Sequence, residues 1–204
     1  MPKSDREILA NYLPDHSVDS ILKLIHDNKI NLNIKRARAT KLGDFRVPGK
    51  GRPSRLSINS DLNPYAFLIT LIHEIAHWMV WNNYKNYHQL QPHGLEWKRT
   101  FQGLMQPYLN SDIFPERILQ ILKKHMLNPK ASSTSDIHLM RALKEYDDGD
   151  TPTILADLEI GESFELKGRQ FRIIKKNRSR FLCVDTVIGK KYMVHSMAEI
   201  TPLD

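Results

Sequence analysis

The chain has almost no cysteine. Cys183 is the one thiol in 204 residues, so an intrachain disulfide and a multi-cysteine zinc site are both excluded. Its simplest role is that of a small buried hydrophobe. Long apolar runs are also missing, and no stretch of 18 apolar residues exists to span a membrane. The opening Met-Pro-Lys-Ser-Asp-Arg leads into a mixed segment with no signal-like apolar core. These absences lead us to expect a cytoplasmic protein with no membrane partner. No repeat of solenoid period is visible. A hydrophobic content of 41% with 26% charged residues excludes a wholly disordered or collagen-like chain. The length suits one domain or two small ones.

What the chain does have is positive charge. Lys and Arg number 30 against 23 Asp and Glu, a net charge of +7. Such a protein is attracted to polyanions, of which nucleic acid is the commonest in a cytoplasm.

The pattern predicts an α+β fold in two parts. Residues 5–13 and 17–28 read as helices, the second with Val18, Ile21, Leu22, Leu24 and Ile25 as its apolar stripe. Residues 31–35 and 55–59 alternate as strands of a small antiparallel sheet. Between them, residues 41–53 hold three glycines and two prolines and read as a basic loop. Asn63-Pro64 is a strong helix start, because Asn caps the first turn and Pro loses no needed donor there. That helix runs to about Asn82 and is apolar on more than one face, which predicts a central, buried position. Further helices are expected from His93-Gly94, with Trp97, Phe101 and Leu104 on one stripe, and over 115–127. A helical domain with a small antiparallel sheet is thus predicted over 1–127, a linker over 128–150 with a short helix at 137–146, and an all-β module over 151–204. In the module Phe164 and Leu166, Phe171 and Ile173, Phe181 and Cys183, and Tyr192 and Val194 are alternating pairs. They predict a four-strand antiparallel meander with these residues as its core.

The chemistry sits on the central helix, in His73-Glu74-Ile75-Ala76-His77. An i, i+4 spacing puts both imidazoles on one face, one turn apart, able to share a metal ion. Zinc suits nitrogen ligands and acidifies its water, and Glu74 can take the proton. A catalytic zinc needs a third protein ligand and an open position. A metzincin would have Gly at 80 and His at 83, where this chain has Val80 and Asn83. Of three candidate third ligands, His93 at the start of the next helix is favoured over His88, which reads as a solvated loop residue, and over Glu96, placed as in gluzincin peptidases. A helix N-terminus disfavours a protonated ring at His93, and Gly94 permits close backbone approach. Glu96 also reads as a first-turn acid favoured by the helix dipole.

The run from Phe67 through His73-Glu-Ile-Ala-His77-Trp, followed by Pro92-His93-Gly94-Leu-Glu-Trp97, resembles the SprT-like zinc metallopeptidases. Arg38 to Gly43 and Leu56 to Asn59 resemble that family's strands before its active helix, so the likeness covers roughly residues 15–105. The resemblance implies a zincin-like domain over 1–127, Zn2+ held by His73, His77 and His93, Glu74 as general base, and hydrolysis of peptide bonds in protein substrates; the basic charge of the chain points to substrates associated with DNA. Many members end in a cysteine-rich zinc ribbon, which this chain cannot build. Two other functions compete: a nucleic-acid-binding protein with a non-catalytic zinc, and a gluzincin-like peptidase using Glu96.

Charge distribution carries the DNA expectation. Lys35, Arg36, Arg38, Lys41, Arg46, Lys50, Arg52 and Arg55 are opposed only by Asp44 within that stretch. The β module adds a second basic group from Lys167 to Lys191. Phe45, Phe171, Phe181 and Tyr192 are interleaved with these cations, a pattern suited to phosphate contact and base stacking.

Overall fold

The computed structural model describes residues 3–38, 40–49, 53–130, 136–147 and 153–203. The chain forms two compact units, Met1–Asp148 and Gly149–Asp204. Both helix and sheet are present, as an α+β fold requires.

The first unit opens with α1 (Asp5–Leu9), closed by a reciprocal capping box between Ser4 and Glu7. This helix is shorter than the 5–13 reading, ending in turns before α2 (Val18–Asp27), which buries Val18, Ile21 and Ile25. Three strands follow: β1 (Leu32–Lys35), β2 (Gly43–Arg46) and β3 (Arg55–Asn59). Their order is β1-β3-β2. β1 runs parallel to β3 and β2 antiparallel to it, so the sheet is mixed and not purely antiparallel. β2 falls inside the segment read as a loop. Glycines and prolines around it hide a four-residue strand whose pairing is long-range. Lys50 and Arg52 lie outside the described residues.

β3 is covered on both faces. Leu56 and Ile58 enter the core, while Ser57 and Asn59 are buried on the polar side. That polar side is held by Arg38, whose guanidinium donates to Asn59 Oδ1 at 2.7 Å, Asp44 Oδ1 at 2.6 Å and Ser57 Oγ at 3.1 Å.

α3 (Pro64–Asn83) is the central helix that its composition predicts, with Phe67, Leu68, Leu71, Ile72, Ile75 and Ala76 fully enclosed. Asn63 caps it by accepting from Ala66 N–H at 3.0 Å. α4 (Leu95–Met105) buries Trp97, Phe101 and Met105, and Pro107 sits in the 3-10 turn that ends it. α5 (Glu116–Met126) and α6 (Ile137–Lys144) complete the unit. α6 lies within the stretch read as a linker, yet Leu139, Ala142 and Leu143 are buried in the same core as α3. The first unit therefore extends past residue 127. Residues 131–135 and 148–150 of that linker are outside the described residues.

The second unit is a five-stranded sheet of β4 (Ser163–Leu166), β5 (Arg169–Lys176), β6 (Arg180–Asp185), β7 (Lys191–His195) and β8 (Thr201–Leu203). The order is β7-β6-β5-β4-β8, antiparallel throughout. The four expected strands are present, and β8 adds a fifth by returning to β4. At three residues, with Pro202 inside, β8 carries no alternation to read, and Pro is tolerated because the strand is an edge. Lys167 and Gly168 both adopt positive φ, 53° and 74°, as a two-residue hairpin turn between β4 and β5 needs. Phe164, Phe171, Ile173, Phe181, Cys183 and Val194 form the core, joined by Leu155, Leu158 and Ile200; Leu166 and Tyr192 pack at its margin. No described helix is long and apolar enough to cross a membrane.

Candidate metal centre

α3 presents His73 and His77 on one face, and the turn before α4 brings His93 to meet them. The three rings converge through one atom each. Nε2 of His77 lies 3.1 Å from Nε2 of His73 and 3.0 Å from Nε2 of His93, and the third side of the triangle is 3.3 Å. Tetrahedral ligands at ~2.0–2.1 Å from a zinc ion stand ~3.3–3.4 Å apart, close to this triangle. Three mutual contacts between lone-pair nitrogens cannot all be hydrogen bonds, since each neutral ring offers its Nε2 as donor or acceptor but not both. A cation satisfies all three at once, so this donor set can hold a metal ion.

The electrostatics agree with that role. Burial, reinforced by the neighbouring His77, His93 and His125, pushes His73 down to about 2. Burial and His93 lower His77 to about 4, and burial lowers His93. Neutral rings keep the lone pairs that ligation uses.

Trp97 is the wall of the site. Its ring centroid lies 4.6 Å from that of His73, 5.4 Å from His77 and 4.7 Å from His93. Its indole N–H points to the His73 carbonyl at 3.4 Å. Phe101 stacks behind it at 5.0 Å.

Glu74 is buried beside the cluster but does not belong to it. Burial pushes its carboxyl up to about 7, against a hydrogen bond from the Phe45 N–H on β2. Gly43 makes this contact possible. A Cβ there would meet Glu74 Cγ at 2.9 Å and Thr70 Cγ2 at 2.9 Å, so the strand reaches the helix only where a side chain is missing.

The other third-ligand candidates stand apart. His88 is exposed in the 3-10 turn after α3. Glu96 is outside the histidine cluster; its Oε2 would lie 3.4 Å from a Cβ placed on Gly94. From sequence Trp97 reads as a core residue, and its contact with all three rings is not legible there. The role of Gly43 is likewise not legible, its one local signal being a glycine in a short alternating segment. His125 is not legible either. It is buried, with Nδ1 3.0 Å from Asp136 Oδ2, the residue that caps α6.

No family model, curated protein or solved structure matches the chain.

The basic stretch before α3 is partly committed to the fold. Asp44 lies 2.6 Å from Arg38, 3.2 Å from Lys41 and 2.7 Å from Arg46. Burial alone would raise the Asp44 carboxyl, but hydrogen bonds from Arg46, Ser57, Arg38 and Lys41 hold it well below the usual carboxylate range. Lys35, Arg36 and Arg55 are exposed. The aromatics interleaved with the cations do not form a stacking surface. Phe171 and Phe181 are buried, Phe45 packs on Trp81, and Tyr192 lies beneath Arg169. Strand alternation sends aromatic and basic neighbours to opposite faces, which a linear reading of composition overlooks.

Proposed function

We propose that this chain is a zinc-dependent metallopeptidase of SprT-like type, acting on protein substrates with Glu74 as general base. The reading rests on one observation: three Nε2 atoms within 3.3 Å of one another, on neutral half-buried rings, with a protonatable carboxyl buried beside them. His73, His77 and His93 would hold the ion. Bound there, zinc supplies Lewis acidity to a scissile carbonyl and makes water acidic near neutral pH.

The chain's own residues do the rest. A carboxyl whose proton leaves near pH 7 can accept one from the attacking water and return it to the departing amine. The Phe45 N–H on β2 favours the ionised form of that carboxyl. Trp97 and Phe101 close the inner side of the site, excluding water from behind the histidines. A gluzincin arrangement is disfavoured because Glu96 is not among the converging atoms. A purely structural ion would give no reason to bury Glu74. A single cysteine suits the reducing conditions of a cytoplasm, and a net charge of +7 suits substrates associated with DNA.

Elemental analysis of the purified protein, combined with hydrolysis of an unfolded protein substrate, tests the reading. One zinc per chain is expected. Glu74→Gln should retain the metal and lose activity by about 100-fold or more. A Glu74→Gln protein as active as the wild type, or a wild type that neither binds zinc nor cleaves, would sink it.

A further inference from the structure

The second unit carries a surface that the metal centre does not use. Over residues 149–204 the sequence is nearly balanced, with nine Lys and Arg against eight Asp and Glu. The sheet separates these charges by face. Phe164, Phe171, Phe181, Cys183 and Val194 point into the core. Arg172, Lys175, Arg180 and Lys191 occupy the opposite face and are all exposed.

Register places these four cations in three successive rows. Arg172 pairs with Val184, which pairs with Lys191. Lys175 pairs with Leu182, which pairs with Met193; the bulge between Ile173 and Lys175 keeps Lys175 on the open face. Arg180 stands opposite His195 in the third row. Rows two residues apart along a strand are separated by ~7 Å and neighbouring strands by ~4.8 Å, so the cations cover a patch of ~14 by ~10 Å.

Two observations separate this patch from an ordinary solvated surface. The first is pairing. Arg169 and Lys176, on the core side of β5, are neutralised by Asp185 and Glu159. None of the four open-face cations makes an ion pair among the described residues, and the carboxylate on that face, Glu165, lies across from Gln170 on β4. The second is position. Arg172, Lys175 and Arg180 lie on β5 and β6, which are interior strands. Basic residues placed to block edge-to-edge aggregation belong on edges, so that explanation covers Lys191 on β7 alone.

We infer that this open face binds the phosphate backbone of duplex DNA, by charge and not by base stacking. A polyanion with regularly spaced phosphates complements four unneutralised cations on a broad sheet. Unpaired bases would require exposed rings to stack on, and the aromatic side chains of this unit face the core or lie under Arg169. Contacts of this kind position a protein without reading sequence. The inference goes beyond the peptidase reading and does not depend on it.

The test is a salt titration of full-length protein against a short labelled duplex DNA. The logarithm of the binding constant should fall linearly with the logarithm of salt concentration. Replacing Arg172, Lys175, Arg180 and Lys191 together by Ala should reduce that slope by ~3–4, and each single replacement by ~1. Lys176→Ala should leave it unchanged. Circular dichroism confirms that the exposed-site variants remain folded. A quadruple variant with the wild-type slope overturns the inference. So does an absence of salt-dependent duplex binding, tighter binding to a single strand of equal length, or binding to anionic lipid vesicles with none to the duplex. Binding is read without hydrolysis, so a failure here leaves the metal centre standing, and an inactive metal centre leaves this result standing.

Discussion

Gly43 touches Glu74 through the absence of its side chain: a Cβ at 43 would sit 2.9 Å from Glu74 Cγ and 3.0 Å from Oε1. The strand that carries Gly43 also supplies the Phe45 N–H, which favours the ionised Glu74 carboxylate. Gly43→Ala is therefore expected to displace the base while leaving the histidines in place. Activity on a protein substrate should fall by about 10- to 100-fold, in kcat more than KM, with zinc content unchanged. Full activity in this variant would show that Glu74 needs no support from β2.

The third ligand separates two peptidase classes. His93→Ala should lose most bound metal, because two histidines on one helical turn leave the ion underheld. Glu96→Ala should keep it, since Glu96 lies outside the convergence. Zinc content after gel filtration against a weak chelator reads both variants. Metal lost on Glu96→Ala and kept on His93→Ala would reverse the assignment.

Asp44 gathers Arg38, Lys41 and Arg46 over the polar face of β3. Its carboxyl is held below the ordinary range, so its stabilisation is present above pH ~4 and is lost as pH falls through the folded-state value. Asp44→Asn should cost about 2 kcal/mol at neutral pH. Denaturant melts of both proteins should converge on acidification. A difference that stays constant with pH would mean that the charge of Asp44 contributes nothing.

Asn63 does more than cap α3. Its amide donates to the Leu143 carbonyl at 2.8 Å and to Asp147 Oδ1 at 2.6 Å, tying the end of α6 to the start of the central helix. Asn63→Ala should destabilise the first unit by about 2 kcal/mol, as a lost cap leaves buried groups unpaired. Asn63→Asp keeps the cap but sets a carboxylate against Asp147 and removes the donor. Thermal melts should show it destabilised as well. Wild-type stability in Asn63→Asp would limit Asn63 to capping.

Much of this protein is written locally. Asn63-Pro64 starts α3 by capping chemistry alone, and the i, i+4 spacing of His73 and His77 aligns two rings on any helix. The alternating pairs from Phe164 to Val194 specify four strands, because a two-residue period needs no distant partner to be read. The rest was decided by contacts between residues far apart in the chain. β2 exists because it can pair with β3 and lie against α3 at Gly43, and the short alternation around Gly43 reveals neither partner. α6 joins the first unit because Asn63, more than 70 residues upstream of its Leu143, is positioned to receive it. The convergence of His93 on the first two histidines, with Trp97 behind all three, depends on how α4 packs on α3. Sequence spacing sets which side chains share a face, while the packing of one element on another sets which faces meet. For that reason the shared face of His73 and His77 was determined by the sequence alone, and their meeting with His93 and the contact of Glu74 with β2 were determined only by the tertiary fold.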